Sequence, residues 1–581
     1  MATELQSEVD QLINQFDPSI HMGMVVVDLN TSETLYKRNP NELFVPASNM
    51  KLFSDAAALL ALGPNYQFKS QLSTDATSIE NGVLKGSLYL HFSGDPSFTQ
   101  THLNTLLAQL PFWGIRKISG DVILISSNSI ADPYAPGRMA TDNNYGYGAP
   151  VTPLVLDANR LTVTVNPSYR EGDLATLELS SEQSGLPINN QVKTAESKTT
   201  CHVSFQTDPE NHVTVNGCIG VGQSAVVEEI SIRSPLLYIQ NRIKTRLAYL
   251  NIKLNGQVQL GHAPTSSLLM TSHASKPITQ LMADTLKPSD NLYADSLYLH
   301  TASHLNGAPL NWPQAQTVIK TFLEQQTGVN LDSAVLIDGS GLSREDKLTA
   351  LQTVGLLRFL YERFPLTYEY IAALPIAGQD GTLLKRFRKP TQQGLLRAKT
   401  GTMTGIMSLS GYLYTANSHT LAFAIFINKT PGSKPHTSYR SLIDNLCDFF
   451  LQQKPDNRQV AHTETQNPRI AFQQQPTQAD NLHRKYANWR QLESAVKQAL
   501  KGQAVTVLFR GNQLVLKDNG TDLNKTWSIL QTLSKKYVFT VALQSRTPPS
   551  GDPSNPHLLW VKSITTNPQT ARIWTLRESV S

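Results

Sequence analysis

Apolar residues recur at helical spacing at both ends of the first 455 positions and alternate with polar ones between them. In "FVPASNMKLFSDAAALLALG" (44–63), Leu52, Ala56, Leu59 and Leu60 mark the buried side of a helix that Gly63-Pro64 stops. Before it, "MATELQSEVDQLINQF" has the pattern of a polar amphipathic helix, and "MGMVVVDLNTSETLYKRN" that of two strands around a polar turn. Residues 1–69 therefore predict helix, hairpin, helix. From about 70 to 265 short alternating runs such as "GVLKGSLYLHFSGDPS", "RLTVTVNPS" and "HVTVNGCIGVG" predict a mostly β inserted region of one or two subdomains. It is broken by helices such as "LYIQNRIKTRLAYLNI". Helical spacing returns in "ITQLMADTLKPSDNLYADSLYLHTASHL" and "ALQTVGLLRFLYERF". Three successive strands follow, "GLLRAKTGTM", "SLSGYLYTA" and "HTLAFAIFIN", whose short turns predict an antiparallel meander. The helix "SYRSLIDNLCDFFLQQ" closes the segment 266–455. Residues 456–480, Gln-rich and poorly periodic, predict a linker, and 481–581 a small separate α+β module. The fold class expected is α+β and multidomain.

Composition narrows the function classes. A chain of 581 residues exceeds one hydrophobic core. Its net charge of +5 is spread along the chain, so no basic stripe points to nucleic acid. No run reaches the eighteen apolar residues of a transmembrane segment. The opening lacks a basic region followed by an apolar one, which leaves a cytoplasmic chain and one whose export signal was removed both open. None of the 14 histidines forms an H-E-x-x-H pair and the three cysteines suit no zinc site, so no metal or other cofactor is expected. Cys201 and Cys218 flank a hairpin pattern; a cross-strand disulfide and two free thiols fit equally. Cys447 reads as a core thiol.

Three short motifs carry the candidate chemistry. Ser48 and Lys51 lie three apart at the head of a helix, on one face. A lysine acts as a base only when its ammonium gives up its proton, and moving its pKa to about 7 takes roughly 4–5 kcal/mol of differential stabilisation from burial and nearby cations. Taken alone, the pattern is better explained by a capping serine and a solvated lysine, because S-x-x-K arises by chance about two or three times in a chain of this length. Ser289-Asp290-Asn291 opens "NLYADSLYLHTA" and suits a helix cap; it also suits a proton relay at Ser289 and a substrate holder at Asn291. Lys399-Thr400-Gly401-Thr402 lies in an expected strand, where an interior glycine marks close approach of a backbone or ligand. Its amine and hydroxyls suit a carboxylate. The order S-x-x-K, S-D-N, K-T-G is that of serine β-lactamases and penicillin-binding proteins.

With "VPASNMKL", "GDPSF", "YGYGAPVTPLVLDAN", "IDGSGLSR", "LPIAGQDGTL", "RAKTGTMTG" and "LSGYL", the chain over roughly residues 20–452 resembles the class C low-molecular-mass penicillin-binding proteins. These are the D-alanyl-D-alanine carboxypeptidase/endopeptidase family (peptidase family S13). The resemblance implies a transpeptidase-like domain, an antiparallel sheet between helices, formed by 1–69 and 266–455 and split by the 70–265 insert. It implies Ser48 as the acylated nucleophile, Lys51 as its base, Ser289 as proton relay, Asn291 as peptide holder, and Lys399, Thr400, Gly401 and Thr402 as the carboxylate-binding strand. The oxyanion hole would be the amides of Ser48 and Thr402. Asp142, before Ala149-Pro150, sits where relatives carry an acidic residue for the free amine of diaminopimelate; an Asx-turn residue in a loop fits equally. The implied partners are peptidoglycan peptides, with β-lactams as covalent inhibitors, in the periplasm or cell envelope. A β-lactamase or esterase on the same scaffold, and a non-catalytic wall-binding protein, are the alternatives.

Overall fold

The computed structural model describes residues 2–126, 132–180, 185–197, 199–429 and 436–452, and the three strands Val505–Arg510, Gln513–Asp518 and Thr540–Gln544. The chain divides into two units, 1–457 and 458–581. In the second unit Gln513–Asp518 is the middle strand, antiparallel to Val505–Arg510 and parallel to Thr540–Gln544. The expected linker at 456–480 and the helices expected within 481–581 lie outside the described residues.

The first unit is built on a five-stranded sheet in the order Leu396–Met403, Ile406–Tyr414, Thr420–Asn428, Met22–Asp28, Thr34–Arg38. All four pairings are antiparallel. The meander expected from the last three motif strands is therefore extended by the N-terminal hairpin. The strand Met22–Asp28 is buried along its whole length because both faces are covered. Val25 and Val27 face one core while Met22, Met24 and Val26 face another, as the period of two requires. The same alternation runs through Thr420–Asn428, with Ala422, Ala424 and Phe426 against Leu421, Phe423, Ile425 and Ile427. The helices Ala2–Phe16 and His436–Leu451 supply residues such as Val9, Ile13, Leu442 and Leu446 to the second core. The larger core is filled from the helices Lys51–Leu62, Ile278–Leu286, Asn291–Asn306, Trp312–Thr327, Ala350–Glu362 and Leu366–Ala373. This is the α+β architecture expected, a sheet held between two helical layers.

The chain leaves this body along Lys69–Thr74 and returns along Leu268–Ala274, and these two strands pair antiparallel in a second five-stranded sheet. Between them lie smaller sheets and the helix Pro235–Tyr249 around a separate core that includes Leu90, Leu124, Val163, Val215 and Ile243. Several of these pairings are parallel, including Leu88–Phe92 with Val122–Ser126. Cys201 and Cys218 form a disulfide that staples the antiparallel strands Val203–Thr207 and Val213–Gly220, which resolves the two readings left open above. Cys447 is a buried free thiol. Among the described residues no helix is long and apolar enough to cross a membrane.

Candidate active site

Ser48 does not begin the long helix. It lies in a 3₁₀ turn, Ala47–Met50, that runs directly into the helix Lys51–Leu62. Ala47 enters the turn in the left-handed region, at φ +47°, a conformation that a residue with a Cβ rarely adopts. The turn is gripped from below by Asn49. Its side-chain amide donates to Ser408 Oγ at 2.6 Å and to the carbonyl of Lys399 at 3.2 Å, and Ser408 Oγ donates to the Pro46 carbonyl at 2.7 Å. The Ser48 turn and the Lys399 strand are thus one hydrogen-bonded assembly. Gly401 shows why this strand needs a glycine. A Cβ there would stand 2.8 Å from the Pro46 carbonyl oxygen and would collide with Ser408 Oγ.

Lys51 is fully buried and its amine makes three hydrogen bonds. It reaches Ser48 Oγ at 3.0 Å, Asn291 Oδ1 at 2.6 Å and the Ser340 carbonyl at 2.7 Å. Burial lowers its pKa from 10.5 to about 8, against the opposing charges of Asp295, Asp338, Asp290 and Asp55. Asp55, one turn further along the helix, is buried with no hydrogen-bond partner on either oxygen, and burial pushes its carboxyl well above the usual range. Beside Lys51 its protonated form is therefore favoured.

The second and third motifs meet the first. Ser289 is held at φ +68°, Asp290 caps the helix Asn291–Asn306 by accepting from the Tyr293 amide at 3.1 Å, and Asn291 is the first helical residue. The capping reading of this triplet is realised at Asp290, and the Asn291 side chain meets Lys51. Lys399, also fully buried, donates to Ser289 Oγ at 2.8 Å and to its neighbour's carbonyl, Thr400 O, at 2.8 Å. Burial and the charge of Lys51 lower its pKa well below the ordinary value. The outer edge of its strand is paired with residues 375–377 as far as Ala398. From Lys399 onward no described strand pairs it. Thr400 Oγ1 donates to Thr382 Oγ1 at 2.8 Å. Asp142 lies in a 3₁₀ turn of the inserted region and accepts from the Tyr147 hydroxyl at 3.0 Å, while the Tyr147 carbonyl accepts from the Asn291 side chain at 2.8 Å. Ser48, Lys51, Asn291, Ser289, Lys399 and, through Tyr147, Asp142 thus belong to one connected cluster.

The sequence profile of the D-Ala-D-Ala carboxypeptidase 3 (S13) family matches residues 5–448. The chain belongs to this family. It is 28% identical over 425 residues to the D-alanyl-D-alanine carboxypeptidase DacB of Haemophilus influenzae, covering 72% of this chain and 88% of the relative. It is likewise 28% identical over 482 residues to the D-alanyl-D-alanine carboxypeptidase of Actinomadura sp. strain R39, covering 79% and 87%. The crystal structure of penicillin binding protein 4 (dacB) from Haemophilus influenzae superposes with a TM-score of 0.70 at 27% identity, over 77% of this chain and 99% of that one. A crystal structure of the same protein complexed with a β-lactam matches with a TM-score of 0.66. This S13 family member is accordingly a serine-type hydrolase on the penicillin-binding scaffold.

Several residues that build its site carry no motif. Ser340 contributes only a backbone carbonyl to Lys51, which no side-chain pattern reveals. Asn49, inside S-x-x-K, reads as filler but ties two motifs together. From the inserted region, Arg160 pairs with Asp290 at 2.7 Å and Arg138 pairs with Asp295 and Asp338; lone arginines in a strand and a loop give no signal of this kind.

Proposed function

We propose that the protein is a serine D-Ala-D-Ala carboxypeptidase that also cuts D-alanyl–diaminopimelate cross-links, acting on peptidoglycan peptides through an acyl-enzyme in the periplasm or cell envelope. The observation that carries the reading is the placement of the Lys51 amine, buried and 3.0 Å from Ser48 Oγ, with its other bonds to acceptors only. Neutral Lys51 takes the Ser48 proton as Oγ attacks the carbonyl of the penultimate D-Ala. The amides of Ser48 and Thr402 receive the developing oxyanion. Ser289, held by Lys399, passes the proton that Lys51 took up to the departing D-alanine amine, which leaves Lys51 neutral again. Water then hydrolyses the ester. The terminal carboxylate lies against Lys399, Thr400 and Thr402, with Gly401 letting the Ser48 turn pack against the same strand, and the peptide adds to the open edge of that strand. Asn291 holds the peptide from the opposite wall.

Intact-mass spectrometry after incubation with a β-lactam tests this. One covalent adduct per chain is expected, and Ser48→Ala should abolish it; an adduct that persists in Ser48→Ala removes the serine from its role. Rapid turnover of a chromogenic cephalosporin with no lasting adduct would instead indicate the β-lactamase alternative.

Asp142 supports the endopeptidase part of the reading. Its carboxylate, oriented by the Tyr147 hydroxyl, can receive the free amine of a diaminopimelate side chain. A hydrogen bond between charged groups is worth about 1.5–3 kcal/mol, so Asp142→Ala should lower kcat/KM on an amine-bearing cross-linked muropeptide roughly ten- to hundredfold. Acylation by a β-lactam without such an amine should change far less. Equal losses on both substrates would place Asp142 outside substrate recognition.

A further inference from the structure

Behind Lys51 lies a charged cluster that the acylation chemistry does not use. Arg138 comes from the inserted region, and its side chain is only 3% exposed. Its guanidinium pairs with Asp295 and lies 3.4 Å from both Asp338 Oδ2 and Ser340 Oγ. Both carboxylates are completely buried, and among the described residues no other cation forms an ion pair with either. From these carboxylates hydrogen bonds run into the 338–343 loop. Asp295 accepts from the Gly339 amide at 2.9 Å. Asp338 accepts from the amides of Ser340, Gly341 and Ser343 at 3.0, 2.6 and 2.9 Å. The carbonyl of Ser340 in that loop is the one Lys51 reaches at 2.7 Å.

We propose that Arg138 is a positioning residue for Lys51: it neutralises the two buried carboxylates behind the amine and fixes the loop carbonyl that the amine binds, so that Lys51 gives up its proton more readily. This rests on the reading of Ser48 and Lys51 given above.

The charges around Lys51 make the argument. Asp55 lies on its own helix and is pushed toward its protonated form by burial; it is the smallest of the four carboxyl influences on Lys51. Asp290, from the cap of the facing helix, has Arg160 as its partner at 2.7 Å. Lys399, from the strand, is itself driven toward the neutral form. Asp346 stands behind Asp338, accepts from the Ile337 amide at 2.7 Å, and is pushed toward its protonated form by burial and by Asp338. That leaves Asp295 and Asp338, the two largest influences that favour the charged form of Lys51. With Arg138 in place their charge is largely spent on the guanidinium. Without it, their field falls on the lysine, and a charged lysine cannot take the Ser48 proton.

The test is the pH dependence of the second-order rate of β-lactam acylation, followed by intact mass on the full chain and on R138Q, R138K and D295N. Acylation should rise with pH as Lys51 loses its proton. In R138Q that rise should move to higher pH by about one unit, a roughly tenfold loss of rate below it. R138K, which keeps the charge, should restore the position. D295N removes one of the opposing charges while its amide oxygen can still accept from Gly339, and should move the rise to lower pH. Shifts of opposite sign in R138Q and D295N are an electrostatic signature that loosened packing does not produce. An R138Q profile that is lowered but not displaced overturns the proposal, and so does a D295N profile displaced upward. If circular dichroism shows R138Q unfolded, the direction of the D295N shift decides. Failure of the underlying reading looks different: no variant would then give a Ser48 adduct at any pH.

Discussion

Replacing Lys51 with methionine is expected to slow acylation of Ser48 by about ten-thousand-fold, the range for loss of a general base that acts as a unit with its nucleophile. Methionine fills nearly the same volume and keeps the helix Lys51–Leu62 intact, so the loss isolates the proton-accepting amine rather than the fold. The same change has a second consequence of opposite sign. Unfolded, Lys51 holds its proton up to its ordinary pKa of 10.5; folded, it releases it above about 8. Between these values the unfolded chain binds more protons, so this residue makes stability rise with pH across that window. Below about pH 8 its burial costs about 3 kcal/mol relative to an unperturbed lysine. The loss of its hydrogen bonds to Asn291 and Ser340 offsets part of what methionine gains. Lys399 is depressed in the same direction; burial, its largest cause, is common to both proteins, while the part due to the Lys51 charge is absent from the variant. Stability of Lys51→Met relative to the parent should therefore be greatest near pH 7 and decline by about 3 kcal/mol as pH approaches 10.5. Denaturant titrations at several pH values measure this. A constant difference from pH 7 to 10.5 would mean that Lys51 is not titrating as a buried amine. Activity at this site is then sustained at a cost in stability, as is common for groups held in an unfavourable protonation state.

The sequence exposed the parts of the site that act through side chains at fixed spacing. Ser48 and Lys51 sit three apart, and the helix-opening triplet at 289–291 and the strand glycine at 401 carry their local geometry in their residue types. Gly401 was legible for a physical reason: an interior strand glycine implies that something approaches, and the Pro46 carbonyl does. What was not legible is contributed by backbone or by distant charge. The Ser340 carbonyl has no side-chain signature. Arg138 and Asp295 are 157 positions apart and meet only because the inserted region folds back over the helix Asn291–Asn306. Alternating runs within the insert predicted strands but not their partners, so the parallel pairings there had no counterpart in the pattern. The cysteine pair stayed open because a bridge depends on the distance between Cα atoms, 5.0 Å here, which strand register sets and spacing alone does not.

These contacts give the insert a place in the site's energetics. It supplies the Tyr147 carbonyl to Asn291, Arg160 to Asp290 and Arg138 to Asp295 and Asp338. Three positions of one helix, its cap, its first residue and the residue one turn on, are each held by the inserted region. Ala135, Val151, Val155 and Ala158 of the insert also join the larger core. The wall that carries Ser289 and Asn291 is therefore braced by the inserted region.

Gly341→Ala should disable the site more completely than most substitutions of reacting groups, because it strikes the joint between the loop and the nucleophile turn. Gly341 sits at φ +78°, where a Cβ is strained whatever the space. The space is also taken. A Cβ there would collide with the Ala47 carbonyl oxygen and carbon, and would stand 3.0 Å from Met50 Cβ. The colliding atoms are backbone, in a turn whose first residue is already in the left-handed region, so neither a rotamer change nor a small adjustment relieves the overlap. The loop must move away, and with it the Ser340 carbonyl that holds Lys51 and the three amides that satisfy Asp338. An Asp338 that loses these amides stays buried with fewer partners, which adds a desolvation cost to the steric one. The expected result is a destabilisation of about 3–5 kcal/mol, in the range for a special-φ position combined with a broken buried polar network. Any folded fraction should have lost β-lactam acylation. Gly307→Ala provides the control: Gly307 ends the helix Asn291–Asn306 at φ +73° with nothing within 4 Å of its Cβ position. It should cost only about 1–2 kcal/mol and leave the acylation rate unchanged. If Gly341→Ala is no worse than Gly307→Ala in a denaturant titration and still acylates at the parent rate, the loop and the nucleophile turn are not packed as described, and the bond from Lys51 to Ser340 loses its support.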